Sequence, residues 1–129
     1  MNNLDKESVI GISALLVHAA NIDEIYSDHE KELILTFIKS YLSDENANDI
    51  LVKAEEIEKN SNQLLNYTNI IKKNPMDIKK DIIEHLWNVI ISDNTVDQYE
   101  SNLMRRICGL IYFPDKECAE IKLQLMDKK

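Results

Sequence analysis

The run Ser27-Asp28-His29-Glu30-Lys31-Glu32-Leu33-Ile34-Leu35-Thr36-Phe37-Ile38-Lys39-Ser40-Tyr41-Leu42 decides the fold class of this chain. Leu33, Ile34, Phe37, Ile38, Tyr41 and Leu42 recur at i, i+1, i+4, i+5, i+8 and i+9. That is the period of one face of an α-helix, and a strand would alternate instead. Ser27 with Glu30 three residues on reads as a capping box, the hydroxyl serving the backbone of Glu30 and the carboxylate the backbone of Ser27. The pattern predicts a helix over 28–42.

Working outward, the same period recurs on both sides. Residues 4–21 carry two adjoining stripes, Val9, Ile12, Leu16 and Ala19 beside Ile10, Ala14 and Val17. A helix apolar over most of its circumference is expected to be central. Beyond residue 42, Ser43 and Asp44 offer a cap for a helix with Ile50, Leu51, Ala54 and Ile57 inward and Glu55, Glu56 and Glu58 on a solvated face. A short helix follows with Leu64, Leu65, Thr68 and Ile71. Lys72 to Met76 reads as a boundary, and Pro75 suits the first turn of a helix running to Ile91, with Ile78, Ile82, Leu86, Val89 and Ile90 inward. A helix from Gln98 to about Tyr112 presents Leu103, Met104, Ile107, Cys108 and Ile111, and Pro114 opens the last one with Cys118, Ile121 and Leu125. The 129 residues hold only 2 Gly and 2 Pro, too few for the tight turns of a sandwich or barrel. The expectation is one all-α domain of about seven helices.

Two polar corners overlay at an offset of 70 residues. Asp23-Glu24-Ile25-Tyr26-Ser27-Asp28-His29-Glu30 matches Asp93-Asn94-Thr95-Val96-Asp97-Gln98-Tyr99-Glu100 in kind. Each has an Asp ending an apolar helix, a Ser or Asp in the N-cap place, and a Glu three residues later. The flanks agree, Leu16 with Leu86, Leu33 with Leu103, Phe37 with Ile107 and Tyr41 with Ile111. Such a long period points to pseudo-repeated helical halves, about 4–60 and 75–128.

The chemistry of the corners is that of carboxylates at helix ends. Glu30 and Glu100 stand where free N–H groups and the helix dipole favour an anion, whereas Asp23 and Asp93 stand where the dipole disfavours one. Loop N–H groups can hold those aspartates, as in an Asx-turn. The functional alternative is a hard cation, Ca²⁺ or Mg²⁺, on carboxylate oxygens. An EF-hand is excluded: counted from Asp93, position 6 is Gln98 and position 12 is Met104, and counted from Asp23, position 12 is Ile34.

At these corners the chain resembles the TerB-like family, named for a bacterial tellurite-resistance protein and shared with the N-terminal region of a DnaJ-type membrane co-chaperone. The family motif is an apolar helix, Ala-Asp-Gly, two or three residues including an aliphatic, and a Glu opening the next helix, carried twice. The better copy here runs from Leu86-Trp87 through Ile91-Ser92-Asp93-Asn94-Thr95-Val96-Asp97-Gln98-Tyr99-Glu100 to Leu103-Met104. The first copy runs from Leu15 to Glu30 with Leu33, and the likeness extends over about residues 8–123. Glu24 and Asn94 stand where the family has glycine. The resemblance implies an all-α fold of two similar halves, no enzymatic activity, and a link to tellurite and chemical-stress resistance. It also implies that the paired acids chelate a metal, with Asp23, Glu30, Asp93 and Glu100 as the positions carried over.

Charge narrows the partners. With 15 Lys+Arg against 23 Asp+Glu the chain carries −8, and its pI is near 4.8. That sign disfavours nucleic acid and anionic membrane surfaces. Cys108 and Cys118 are spaced C-x9-C, which matches no zinc pattern, and read as apolar core residues of a reduced, cytoplasmic protein. The first residues, Met1 to Val9, show no basic region ahead of an apolar run, so no signal peptide is expected, and no stretch is apolar enough for membrane insertion. His18 and His85 are expected to be partly buried and hydrogen-bonded, His29 exposed, Trp87 a packing residue, and Arg105-Arg106 a solvated spot. No H-E-x-x-H and no Gly-x-Ser-x-Gly occurs. Two functions stay open: a non-enzymatic helical module docking a protein partner, or a divalent-cation protein using the acidic corners.

Overall fold

A computed structural model of the chain describes residues 5–21, 27–42, 46–60, 64–91 and 98–127, the side chains of 64–66 and 98–100 excepted. The described residues form seven helices: α1 Lys6–Ala20, α2 Asp28–Tyr41, α3 Ala47–Asn60, α4 Leu64–Lys72, α5 Met76–Ile91, α6 Gln98–Leu110 and α7 Asp115–Asp127.

Helices α1 and α2 begin where their sequence supplies a side-chain acceptor for the orphan N–H groups of the first turn. Asp5 caps α1, its carboxylate accepting from the Ser8 N–H at 2.7 Å; that bond holds the Asp5 carboxyl below its usual range. The α3 ladder starts at Asn46, whose carbonyl accepts from the Ile50 N–H at 3.1 Å; Ser43 and Asp44, the expected caps, lie outside the described residues. Pro75 and Pro114 each stand one residue before a helix, and their carbonyls accept from the Lys79 and Cys118 N–H groups. Proline there loses no ladder bond, having no N–H to contribute.

Helix α1 is central, as its two stripes require. Val9, Ile12, Ala14, Leu15, Leu16 and Val17 are buried, and α1 packs on α2, α3, α4 and α5. Helix α5 is the second pillar, burying Ile78, Ile82, Ile83, Leu86, Trp87, Val89, Ile90 and Ile91 while contacting α1, α2 and α7. The helix starts repeat as the corners do: Met76 opens α5 70 residues after Lys6 opens α1, and Gln98 opens α6 70 after Asp28 opens α2. Leu16 and Leu86 are both fully buried, and so are Phe37 and Ile107. Helix α4 has no counterpart between α5 and α7; it lies against α1 and α6 and joins the two sets.

Three local expectations are corrected. Helix α6 stops at Leu110 and not at Tyr112, because Tyr112 sits at φ 60, where a helix cannot continue. The Phe113 N–H reaches the Cys108 carbonyl at 2.8 Å and the Tyr112 N–H the Gly109 carbonyl at 3.4 Å, which is a Schellman closure. Ile57, read as inward-facing, is 39% exposed, because α3 presents only Ala47, Ile50, Leu51 and Ala54 to the core. Glu58, read as solvated, is half-buried against the end of α1.

Candidate functional site

The first acidic corner is bracketed by two well-defined structures. On its N-terminal side α1 ends at Asn21, whose N–H bonds the Val17 carbonyl at 2.9 Å. Glu58 reaches across from α3: its Oε1 accepts from Asn21 Nδ2 at 3.2 Å and its Oε2 lies 3.4 Å from His18 Nδ1. A carboxylate at a helix C-terminus opposes the dipole, so these side-chain donors are what holds it there. On the C-terminal side stands the capping box. Ser27 Oγ accepts from the Glu30 N–H at 3.2 Å, and Glu30 Oε1 accepts from the Ser27 N–H at 2.8 Å and its hydroxyl at 3.0 Å. Glu30 is buried in the process.

The second corner is described only at its rims. Helix α5 ends at Ile91 and α6 opens at Gln98, which makes Glu100 the third residue of α6, the register Glu30 holds in α2. Asp23 and Asp93 lie outside the described residues, as does the side chain of Glu100. Of the four carboxylates, Glu30 is the one whose geometry is on view, and its Oε1 is committed to the cap. Among the described residues no group of three or more His, Cys, Asp or Glu is arranged to hold a metal ion.

A different feature was missed by sequence reasoning. An apolar groove of about 490 Å³ runs between α1, α3 and α4, floored by Ile10, Gly11, Ile57, Tyr67 and Ile70. Its rim carries Glu7, Glu56 and Lys53. Gly11 permits the close approach of α4, since a Cβ at that position would run into the Ile70 side chain. The sequence signal was there in Ile57: it continues the apolar stripe of α3 past the point at which the core is already closed by Ala54.

The family model of the tellurite resistance protein TerB matches residues 10–123, which takes in both corners, the groove and all seven helices in whole or part. The chain belongs to the TerB family. No curated protein and no solved structure matches it significantly. TerB-type modules are helical and are not known as enzymes. In this TerB chain the two positions that lack the motif glycine, Glu24 and Asn94, both fall outside the described residues.

The other titratable cluster of this TerB domain ties α2 to α5. Tyr41 Oη donates to Asp81 Oδ2 at 2.5 Å, and His85 Nε2 lies 3.6 Å from the same oxygen. The His85 ring meets Phe37 edge-on, with centroids 5.1 Å apart. Burial pushes the His85 pKa below its usual value, against the opposing pull of Asp81 and Glu84. Burial and the neighbouring Asp81 carboxylate both raise that of Tyr41. His18 and His85 are partly buried and partnered as expected, and His29 is exposed. No described helix is long and apolar enough to cross a membrane.

Proposed function

We propose that this TerB-type helical module is non-enzymatic and docks a partner protein through the groove between α1, α3 and α4. The observation that carries this reading is the open apolar floor of Ile10, Ile57, Tyr67 and Ile70, with Val52 and Ile57 left 52% and 39% exposed on the adjoining face of α3. Exposed aliphatic side chains around a concave floor are the usual mark of a binding surface. The occupant that fits is an amphipathic helix with an aliphatic face and basic flanks. Aliphatic side chains fill the floor, and the flanks meet Glu7 and Glu56 on a chain of net charge −8.

A designed helical peptide of leucine and lysine, titrated against the isotopically labelled chain, tests this. A scrambled peptide of the same composition is the control. Selective shifts at Ile10, Ile57, Tyr67 and Ile70, weakened at least about tenfold by Ile57→Glu, are expected. Equal binding by wild type and variant, or by the scrambled peptide, would sink the reading.

A second reading is the divalent cation at the corners, on Asp23, Glu30, Asp93 and Glu100. It is supported by the common register of Glu30 and Glu100 at the third position of helices that start 70 residues apart. Calorimetric titration with Ca²⁺ and Mg²⁺, repeated on Asp93→Asn with Glu100→Gln, separates it from the first. Heat that persists in the double variant, or no heat in either protein, counts against it.

A further inference from the structure

Helix α7 leaves part of its apolar surface bare. Cys118 and Ile121 are buried against the rest of the fold, but Leu123 is 61% exposed and Met126 39%. Those two stand three residues apart, one turn along the same side of the helix and opposite the face that buries Cys118 and Ile121. Helix α7 packs chiefly on α5 and α6, so its bare side belongs to a different part of the surface from the groove between α1, α3 and α4. One chain thus carries both a concave apolar surface and a convex one.

Size and charge match the two surfaces. At about 490 Å³ the groove is in the range that encloses a small ligand, and two aliphatic side chains one helical turn apart fit within it. Its rim carries Glu7 and Glu56 against Lys53. Residues 121–129 reverse that balance, with three Lys against one Asp on a chain of net charge −8. The acids nearest Leu123, Glu120 and Asp127, have Lys53 of the rim to meet. Helix α7 is therefore an amphipathic helix of the kind the groove fits, with an aliphatic face and basic flanks.

We propose that the groove takes α7 of a second copy of this chain, with Leu123 and Met126 seated on Ile10, Ile57, Tyr67 and Ile70. The proposal rests on the docking role given to the groove above and names its occupant. A groove on one copy and a helix on the next make a heterologous, head-to-tail contact, which repeats from copy to copy. With two aliphatic anchors it falls below the roughly 1,200 Å² of stable interfaces, so the contact is weak and assembly follows concentration.

Sedimentation of the full chain and two variants tests this. Ile57→Glu blocks the groove and keeps α7, whereas Leu123→Glu blocks α7 and keeps the groove. The average mass of the wild type should rise above 15.0 kDa as its concentration approaches about 1 mM. Each variant alone should associate at least about tenfold more weakly. Their equimolar mixture, which restores one intact contact, should form a dimer and go no further. In that mixture isotopically labelled Leu123→Glu should show shifts at Ile10, Tyr67 and Ile70. The wild-type measurement is decisive even where a variant fails to fold. A wild type that stays at 15.0 kDa, or a mixture of folded variants no heavier than its components, overturns the proposal. The leucine–lysine peptide, added to labelled Leu123→Glu, then shows how far the failure reaches. Shifts in the groove leave docking intact and exclude only the second copy, and their absence removes both.

Discussion

Tyr41 and Asp81 join two helices that are 40 residues apart in sequence, the phenol of α2 donating to the carboxylate of α5 at 2.5 Å. The bond belongs to the interface between the two sets of helices, and its acceptor is charged. A charge-assisted bond of this kind contributes more than a neutral one. Because both groups are partly exposed, Tyr41→Phe is expected to lower unfolding free energy by about 1–2 kcal/mol, at the low end for hydrogen bonds to charged groups. Urea denaturation of Tyr41→Phe, Asp81→Asn and the double variant measures the coupling. Simple additivity of the two losses would contradict it.

The imidazole beside that bond makes stability depend on acid. In the unfolded chain a histidine titrates at about 6.5. In the fold, burial lowers the His85 value, and Asp81 and Glu84 offset this only in part. Between the two values the unfolded chain binds the extra proton, so stability rises with pH through that window. It is at its full value above about pH 6.5 and is lost as pH falls toward the folded value. Denaturation midpoints for wild type and His85→Gln across this range should converge toward the acid end. A gap that is constant or widens with acid would refute the sign.

Ser13 points the other way. It is fully buried in α1, and its hydroxyl has no hydrogen-bond partner. A buried, unpaired hydroxyl has lost its water without replacement. Ser13→Ala removes it and adds helix propensity, so a gain of about 1 kcal/mol is expected in thermal or urea unfolding. A loss of stability would mean that the hydroxyl is partnered.

Tyr112 holds the left-handed position of the α6 Schellman closure, a place that favours glycine. The ring is 68% exposed, with Lys72 Nζ 4.7 Å from its centroid. Tyr112→Gly relieves about 1–2 kcal/mol of backbone strain and forfeits roughly 0.5 kcal/mol of cation–π contact, so a net gain is expected. Tyr112→Val should destabilise, since a β-branched side chain fits that region worst. Calorimetric melting of the pair gives the order.

The helices of this domain were readable because their apolar residues recur at one period and their starts carry caps. The Ser27–Glu30 box and the burial of Leu16, Phe37, Leu86 and Ile107 followed from local pattern alone. What escaped was whatever depends on two distant segments meeting. Glu58 looks like any acid on a polar face until α3 is laid beside His18 and Asn21. Ile57 looks like core until α3 is rotated by its packing on α1. The turn into α7 needed the α6 end at Leu110, two residues before its apparent one, and the left-handed Tyr112 behind it. The corners were legible as repeats of pattern, and Glu30 took its expected place; the stations of Asp23 and Asp93 lie outside the described residues.

The position of α4 has one more outcome. It leads from α1–α3 to α5–α7, and its end is fastened by Asn74, whose amide and N–H bond the carbonyls of Ile70 and Ile71. A chain split at this link would yield two fragments of three or four helices. Each would bare the apolar surface that α1 and α2 share with α5, and that α4 presses on α6. Neither fragment has enough remaining interior to stand alone comfortably, and each carries the other's missing wall. Mixed together, such halves should reassemble without a covalent tie, which makes residues 73–75 the natural seam at which to divide the protein into a complementing pair.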